Sequence, residues 1–162
     1  MTLVPTLTAA GFAAVFAALA TAPARAQPEA RAACQGEPSA TRLRVVIQGV
    51  RSADGVMTVT LYGDDPHKFL RGSGELAVWR APAKTPMTQM CVWLPGPGTY
   101  GVAVYHDAKR AYRFTQGPFG MPTQDYGFSR NPHMFFGPPS FNAAKFPAGE
   151  GETTIYVRLR YP

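Results

Sequence analysis

The chain has 162 residues, a formal net charge of +6 at neutral pH and two cysteines. That length suits one ordinary domain whose core needs no metal staple. The basic residues are scattered, without the Lys/Arg run that tracks a nucleic-acid backbone, so a nucleic-acid binder is excluded and only a weak preference for anionic surfaces is implied.

The N-terminus reads as a secretory leader. Residues 7–22 are apolar and rich in alanine, and Ala24-Arg25-Ala26 is a small-x-small cleavage site before Gln27. The stretch is short beside the roughly 20 apolar residues of a spanning helix. We therefore expect cleavage after Ala26, periplasmic or secreted residence, and no membrane span in the mature chain. Residues 1–26 are then a signal peptide, 27–42 a flexible N-terminal tail and 43–162 the folded domain. Two cysteines in an exported chain read as one disulfide, Cys34 to Cys91, tying the tail to a strand.

Within the domain, period-2 alternation dominates. Leu43, Val45 and Ile47 share one face of a first strand, and Met57, Val59 and Leu61 one face of a second over residues 56–62. Between them Asp54-Gly55 favours the positive φ of a tight turn, so the two strands are expected to form a hairpin. Asp64-Asp65-Pro66-His67 suggests a short helical turn carrying Phe69 and Leu70. Residues 75–80 and 88–94 alternate again, the first with Leu76 and Val78 on one face and Ala77 and Trp79 on the other.

Gly98-Thr99-Tyr100 opens the next strand. Glycine two residues before a tyrosine at a strand start fits a tyrosine corner, in which the phenol bonds back to nearby backbone. Tyr100, Val102 and Val104 then face the core, and His106 continues that set. Residues 154–161 close the chain, with Ile155, Val157 and Leu159 alternating against Tyr156, Arg158 and Arg160. About seven short strands with frequent turn signals and no helical period imply an all-β antiparallel sandwich of immunoglobulin-like or transthyretin-like type.

The connection from Asp107 to Phe146 is about forty residues, a length often associated with function. It is rich in glycine, proline and aromatics: Tyr112, Phe114, Phe119, Tyr126, Phe128, Phe135, Phe136 and Phe141. These rings either fold down as a satellite core over an open end of the sandwich, which we favour, or form an apolar rim for a partner. The candidate binding residues on this face are His106, Asp107, Arg110, Arg113, Tyr126, Phe128, Ser129 and His133.

His106, Asp107 and His133, with Asp125 near in sequence, could also hold a metal or act as a general base, since imidazole suits both roles. Their spacing matches no ligand motif. The plainer reading makes His106 a rim residue bonded to the loop and Asp107 an acceptor of loop N–H groups. Ser129 and Ser140 sit in no Gly-x-Ser-x-Gly elbow, so both are expected to hold loop backbone rather than attack a substrate. No cofactor is expected.

Taken in order, Gly98-Thr-Tyr-Gly-Val-Ala-Val-Tyr-His-Asp107, Phe119-Gly-Met-Pro122, Gly127-Phe-Ser129, Pro139-Ser-Phe-Asn-Ala-Ala-Lys-Phe146 and Ile155-Tyr-Val-Arg-Leu-Arg-Tyr161 resemble the bacterial family catalogued as domain of unknown function 2141. The resemblance implies an exported single-domain β protein and implies no activity. Relatives in that family commonly follow the His-Asp with an acidic, Asn/Gly-rich stretch like a calcium loop. In this chain the stretch is Ala108-Lys-Arg-Ala-Tyr-Arg-Phe114, which supplies cations instead of hard oxygen ligands. The expected function is a non-enzymatic binding or accessory module of the cell envelope, its partner an envelope protein or an anionic polymer. A metal-binding protein or metal-dependent enzyme built on His106, Asp107 and His133 is the alternative.

Overall fold

The computed structural model describes residues 33–134 and 137–162; the leader assignment, Phe135 and Phe136 lie outside the described residues. Among the described residues eight strands form two sheets: β1 (Thr41–Gln48), β2 (Val56–Tyr62), β3 (Glu75–Pro82), β4 (Met87–Trp93), β5 (Gly98–Asp107), β6 (Tyr126–Phe128), β7 (Phe146–Ala148) and β8 (Gly151–Arg158). The smaller sheet runs β4-β1-β8 and the larger β3-β2-β5-β6, with β7 on the start of β5. A one-turn helix, α1 (Phe141–Ala144), precedes β7.

The alternation read from the sequence sets the core. Leu43, Val45, Ile47, Val92, Ile155 and Val157 of the smaller sheet meet Met57, Val59, Leu61, Val102 and Val104 of the larger in one buried cluster. Each such side chain contributes about 1.5–3 kcal/mol by leaving water. Trp79 and Ala81 of β3 pack against this cluster, whereas Leu76 and Val78 face solvent.

Three expectations need correction. First, β1 and β2 are not a hairpin: β1 pairs antiparallel with β4 and parallel with β8, while β2 pairs with β3 and β5. The Asp-Gly turn is an arch that carries the chain from one sheet to the other. Its Gly55 does have positive φ, +70°, but a Cβ there would lie 2.1 Å from the Asp107 carbonyl oxygen, so close approach also demands glycine. Second, the sandwich starts before residue 43. Gln35 donates its N–H to Cys91 O (2.9 Å) and accepts from Trp93 N (2.8 Å), and Cys34 is bonded to Cys91. Cys34 and Gln35, assigned to a flexible tail, are therefore pinned to β4, and Ser39 Oγ donates to Leu94 O (2.7 Å) just beyond it. Backbone pairing needs no hydrophobic period, which is why a start read from that period falls too late. Third, the short helical turn forms but does not hold as far as Leu70: Lys68 N donates to Asp65 O (3.1 Å), Phe69 is buried, and Leu70 leaves the helical region with φ of 57°.

The satellite core exists, in a different place. Tyr62, Phe69, Phe128, Phe141 and Ala144 form a second buried cluster on the outer face of the larger sheet, not over its end. Phe69 lies edge-on to Tyr62 (5.2 Å between centroids) and to Phe141 (5.6 Å). Gly101 makes the room: a Cβ there would sit 3.0 Å from Phe69 and 3.2 Å from Phe141. Gly127 does the same on the inner side. Its Cβ would meet Val157 and the Arg158 carbonyl at 2.7 Å, so glycine lets β6 lie against the last strand, where Tyr126 and Arg160 exchange backbone bonds.

The tyrosine corner is present. Tyr100 Oη donates to Gly96 O at 2.7 Å, and the residue is buried. Tyr100→Phe is expected to cost about 1–2 kcal/mol, because it deletes that bond and little packing. Burial raises the phenol above its ordinary pKa. A raised folded-state pKa stabilises fully below the unfolded value of about 10 and is lost as pH climbs through the folded value. Denaturant titrations from pH 8 to 11 should therefore show a shallower alkaline loss in the variant than in the wild type; equal slopes would deny the corner that role.

Candidate functional site

The end of the sandwich beside Asp107 is built from the arch and the start of the long loop. Antiparallel pairing sets Met57 opposite His106 and Val56 opposite Asp107. His106 thus points inward and is buried. Its Nε2 lies 2.7 Å from the Asp54 carbonyl oxygen. A carbonyl only accepts, so Nε2 carries the proton. The His106 backbone N–H reaches the long loop, donating to Asp125 O at 2.8 Å.

Asp107 is fully buried and occupied by backbone. Oδ1 accepts from Ala111 N at 2.9 Å and Oδ2 from Tyr112 N at 2.6 Å, while its carbonyl accepts from Arg110 N at 3.2 Å. Residues 108–112 wrap around one carboxylate, with Arg110 and Tyr112 at φ of 55° and 56°. Across the opening, Arg51 grips Asp125 through Nη2 (2.5 Å) and Nε (3.2 Å) and stacks on Tyr161, 3.8 Å from the ring centroid. The carboxylate bond raises the Arg51 pKa. Its guanidinium is more than half exposed, so the pair positions the loop more than it stabilises the fold. Between these groups lies an open cleft of about 540 Å³ lined by Arg51, His106, Asp107, Lys109, Gln124 and Asp125, among others.

Beyond the wrap, the loop climbs the outer face of the larger sheet. Phe114 packs edge-on against Tyr105 (5.5 Å) and Tyr126 (6.4 Å), and Tyr112 lies under the Arg80 guanidinium (5.4 Å). Gln124 holds the return strand by accepting from Thr115 N at 2.9 Å.

The sequence candidates scatter over three environments. His106 and Asp107 line the cleft. Arg110 and Arg113 are exposed on the loop beside it. Tyr126 is half-buried and Phe128 buried, both packed in or against the satellite core rather than on a rim. Ser129 is fully buried: its Oγ accepts from Val102 N (2.9 Å) and donates to Ala144 O (2.6 Å), the backbone-holding role expected of it. Ser140 departs from expectation. It caps α1 with no side-chain bond, and its carbonyl alone accepts from Ala143 N. His133 is exposed.

The metal trio does not assemble. Among the described residues no three His, Cys, Asp or Glu side chains are grouped to hold a metal ion. The lone pairs Asp107 would offer are turned to Ala111 and Tyr112, because an anion inside a turn is best neutralised by the N–H groups that the turn leaves unpaired. Sequence reasoning missed Arg51, Gln124 and the second role of Gly55. Arg51 and Asp125 are 74 positions apart and nothing local links them.

A family model described as an uncharacterized protein conserved in bacteria, domain of unknown function 2141, matches residues 45–156. The chain belongs to that family. The match takes in both sheets, the cleft and the whole long loop, but the domain of unknown function 2141 leaves out Cys34, so one half of the disulfide lies beyond it. No curated protein and no solved structure matches the chain. Among the described residues no helix is long and apolar enough to cross a membrane.

Proposed function

We propose that this protein is exported and works in the cell envelope as a non-enzymatic binding or accessory module, with the cleft and the long loop from His106 onward as its working face. The observation that carries the reading is the commitment of Asp107: a fully buried carboxylate with each oxygen accepting a loop N–H shapes a surface. Ser129 is spent in the same way. The Cys34–Cys91 bridge fits an oxidising compartment, as export requires. The loop so shaped displays Lys109, Arg110 and Arg113, which suits an anionic partner, either an envelope protein or a polymer.

The test has two parts. Expressed in a bacterium, the protein should appear in the periplasm or medium beginning at Gln27. Titrated against isolated envelope fractions, Arg110→Glu with Arg113→Glu should weaken capture by at least about tenfold. Both positions are exposed, so Tm should stay within about 2 °C of wild type. Retention in the cytoplasm with the leader attached, or equal capture of variant and wild type, would overturn the reading.

A further inference from the structure

Residues 115–123 form a small hairpin of their own. Thr123 N donates to Thr115 O (3.1 Å) and Gly117 N to Met121 O (2.8 Å), and the two threonine hydroxyls meet at 2.6 Å. Gln116 Nε2 ties the tip by donating to Gly120 O (3.0 Å). At that tip Phe119 is fully exposed and Met121 is 64% exposed. Phe119 has φ of 60° and Gly120 of 73°, so a phenylalanine occupies a left-handed position where glycine or asparagine would be easier. Backbone outliers of this kind cluster where a side chain has work to do. An apolar pair held out at the end of a braced turn is also the reverse of what burial favours.

The loop that carries it holds charge of one sign. Between Asp107 and Asp125 the chain carries Lys109, Arg110 and Arg113 and no acidic residue. All three are exposed, and none forms a salt bridge with a described residue. Exposed Tyr112 adds an amphipathic ring near them.

We infer that this hairpin is an insertion finger for anionic lipid bilayers: Phe119 and Met121 enter the headgroup–acyl boundary while Lys109, Arg110 and Arg113 engage the phosphates. A stable protein interface needs roughly 800 Å² from each partner, far more than two side chains on a narrow turn provide. Interfacial adsorption needs only a shallow apolar insertion, about 5–10 Å deep, reinforced by cations near an anionic surface. The inference rests on the envelope reading above and assigns the anionic partner of the working face to a lipid surface in place of a protein or polymer.

The test is flotation of the purified, disulfide-bonded protein with vesicles of phosphatidylglycerol and phosphatidylethanolamine, and with vesicles of phosphatidylcholine alone. Binding is expected on the anionic vesicles and at least tenfold weaker on the neutral ones. Replacing Lys109, Arg110 and Arg113 by glutamine should weaken anionic-vesicle binding by about a hundredfold, each cation being worth about fivefold. Phe119→Ser with Met121→Ser should weaken it by about tenfold or more at unchanged Tm, since both side chains are exposed. Phe119→Trp, read as a difference spectrum from wild type, should shift its emission to the blue with anionic vesicles only.

Absence of vesicle binding, indifference to the two serines, or an unshifted Phe119→Trp emission would overturn the finger. If envelope fractions still capture the protein through Arg110 and Arg113 in that case, the finger is wrong, the partner is a protein or polymer, and the envelope reading stands. Vesicle binding by a protein that remains in the cytoplasm would do the opposite.

Discussion

Removing the Cys34–Cys91 bridge is expected to lower the unfolding free energy by about 4 kcal/mol and Tm by about 10–15 °C. The bridge spans 57 positions, and closing a loop of that length takes much conformational freedom from the unfolded chain. Its folded-state neighbours are arranged to keep residue 34 in place. Gln35 pairs with β4 by backbone and donates its side-chain amide to Arg80 O at 3.1 Å, and Gly36 at φ +94° lies against Trp79. The check is chemical denaturation of wild type with and without reductant, beside Cys34→Ser with Cys91→Ser. Reduced wild type and the double variant should coincide, with a steeper denaturant dependence than the oxidised form because the unfolded chain is less compact. A loss under about 1 kcal/mol would show that the Gln35 pairing alone suffices.

Asp107→Ala should cost about 3 kcal/mol, the sum of two charge-assisted hydrogen bonds to Ala111 and Tyr112. The loss is local in origin. The released N–H groups belong to exposed residues and can turn to water, so the penalty stays below that of opening a cavity in the core. Asp107→Asn should cost less, since one oxygen still accepts while the new amide opposes the second N–H. Amide exchange gives the decisive readout. Protection at Ala111 and Tyr112 should collapse in the alanine variant while Val102 and Val104 in the body of β5 keep theirs. Uniform loss of protection would mean that the carboxylate supports the whole sandwich rather than the wrap.

The contrast between these two sites shows what a sequence discloses. Leu43, Val45 and Ile47 announce a half-buried strand because burial on one face leaves a period of two. The same pattern is silent about direction, so nothing in it distinguished a β1–β2 hairpin from an arch with β1 laid parallel to β8. Tyr126-Gly-Phe128 and Phe146-Pro-Ala148 pair with β5 but are three residues each, too short for any period to register. Their glycine and proline also read as turn signals. Asp107 was legible as a capping acceptor because acid followed by a polar loop is a local motif. The grip of Arg51 on Asp125 and the bearing of Gly55 on Asp107 arise only when distant segments meet. Of the long loop's rings, Tyr126, Phe128 and Phe141 pack as expected, whereas Tyr112, Phe114 and Phe119 stay exposed, and the sheet face that is covered depends on Gly101 leaving bare backbone under Phe69 and Phe141.

The parallel union of β1 with β8 bears on how the molecule comes into being. Thr41 pairs with Gly151 and Gln48 with Arg158, and Arg44 crosses to Glu152 with two bonds of 3.0 Å. β1 therefore keeps one edge open until β8 has been made. The smaller layer cannot close while β8 is unmade, so its completion waits on a contact between strands far apart in sequence.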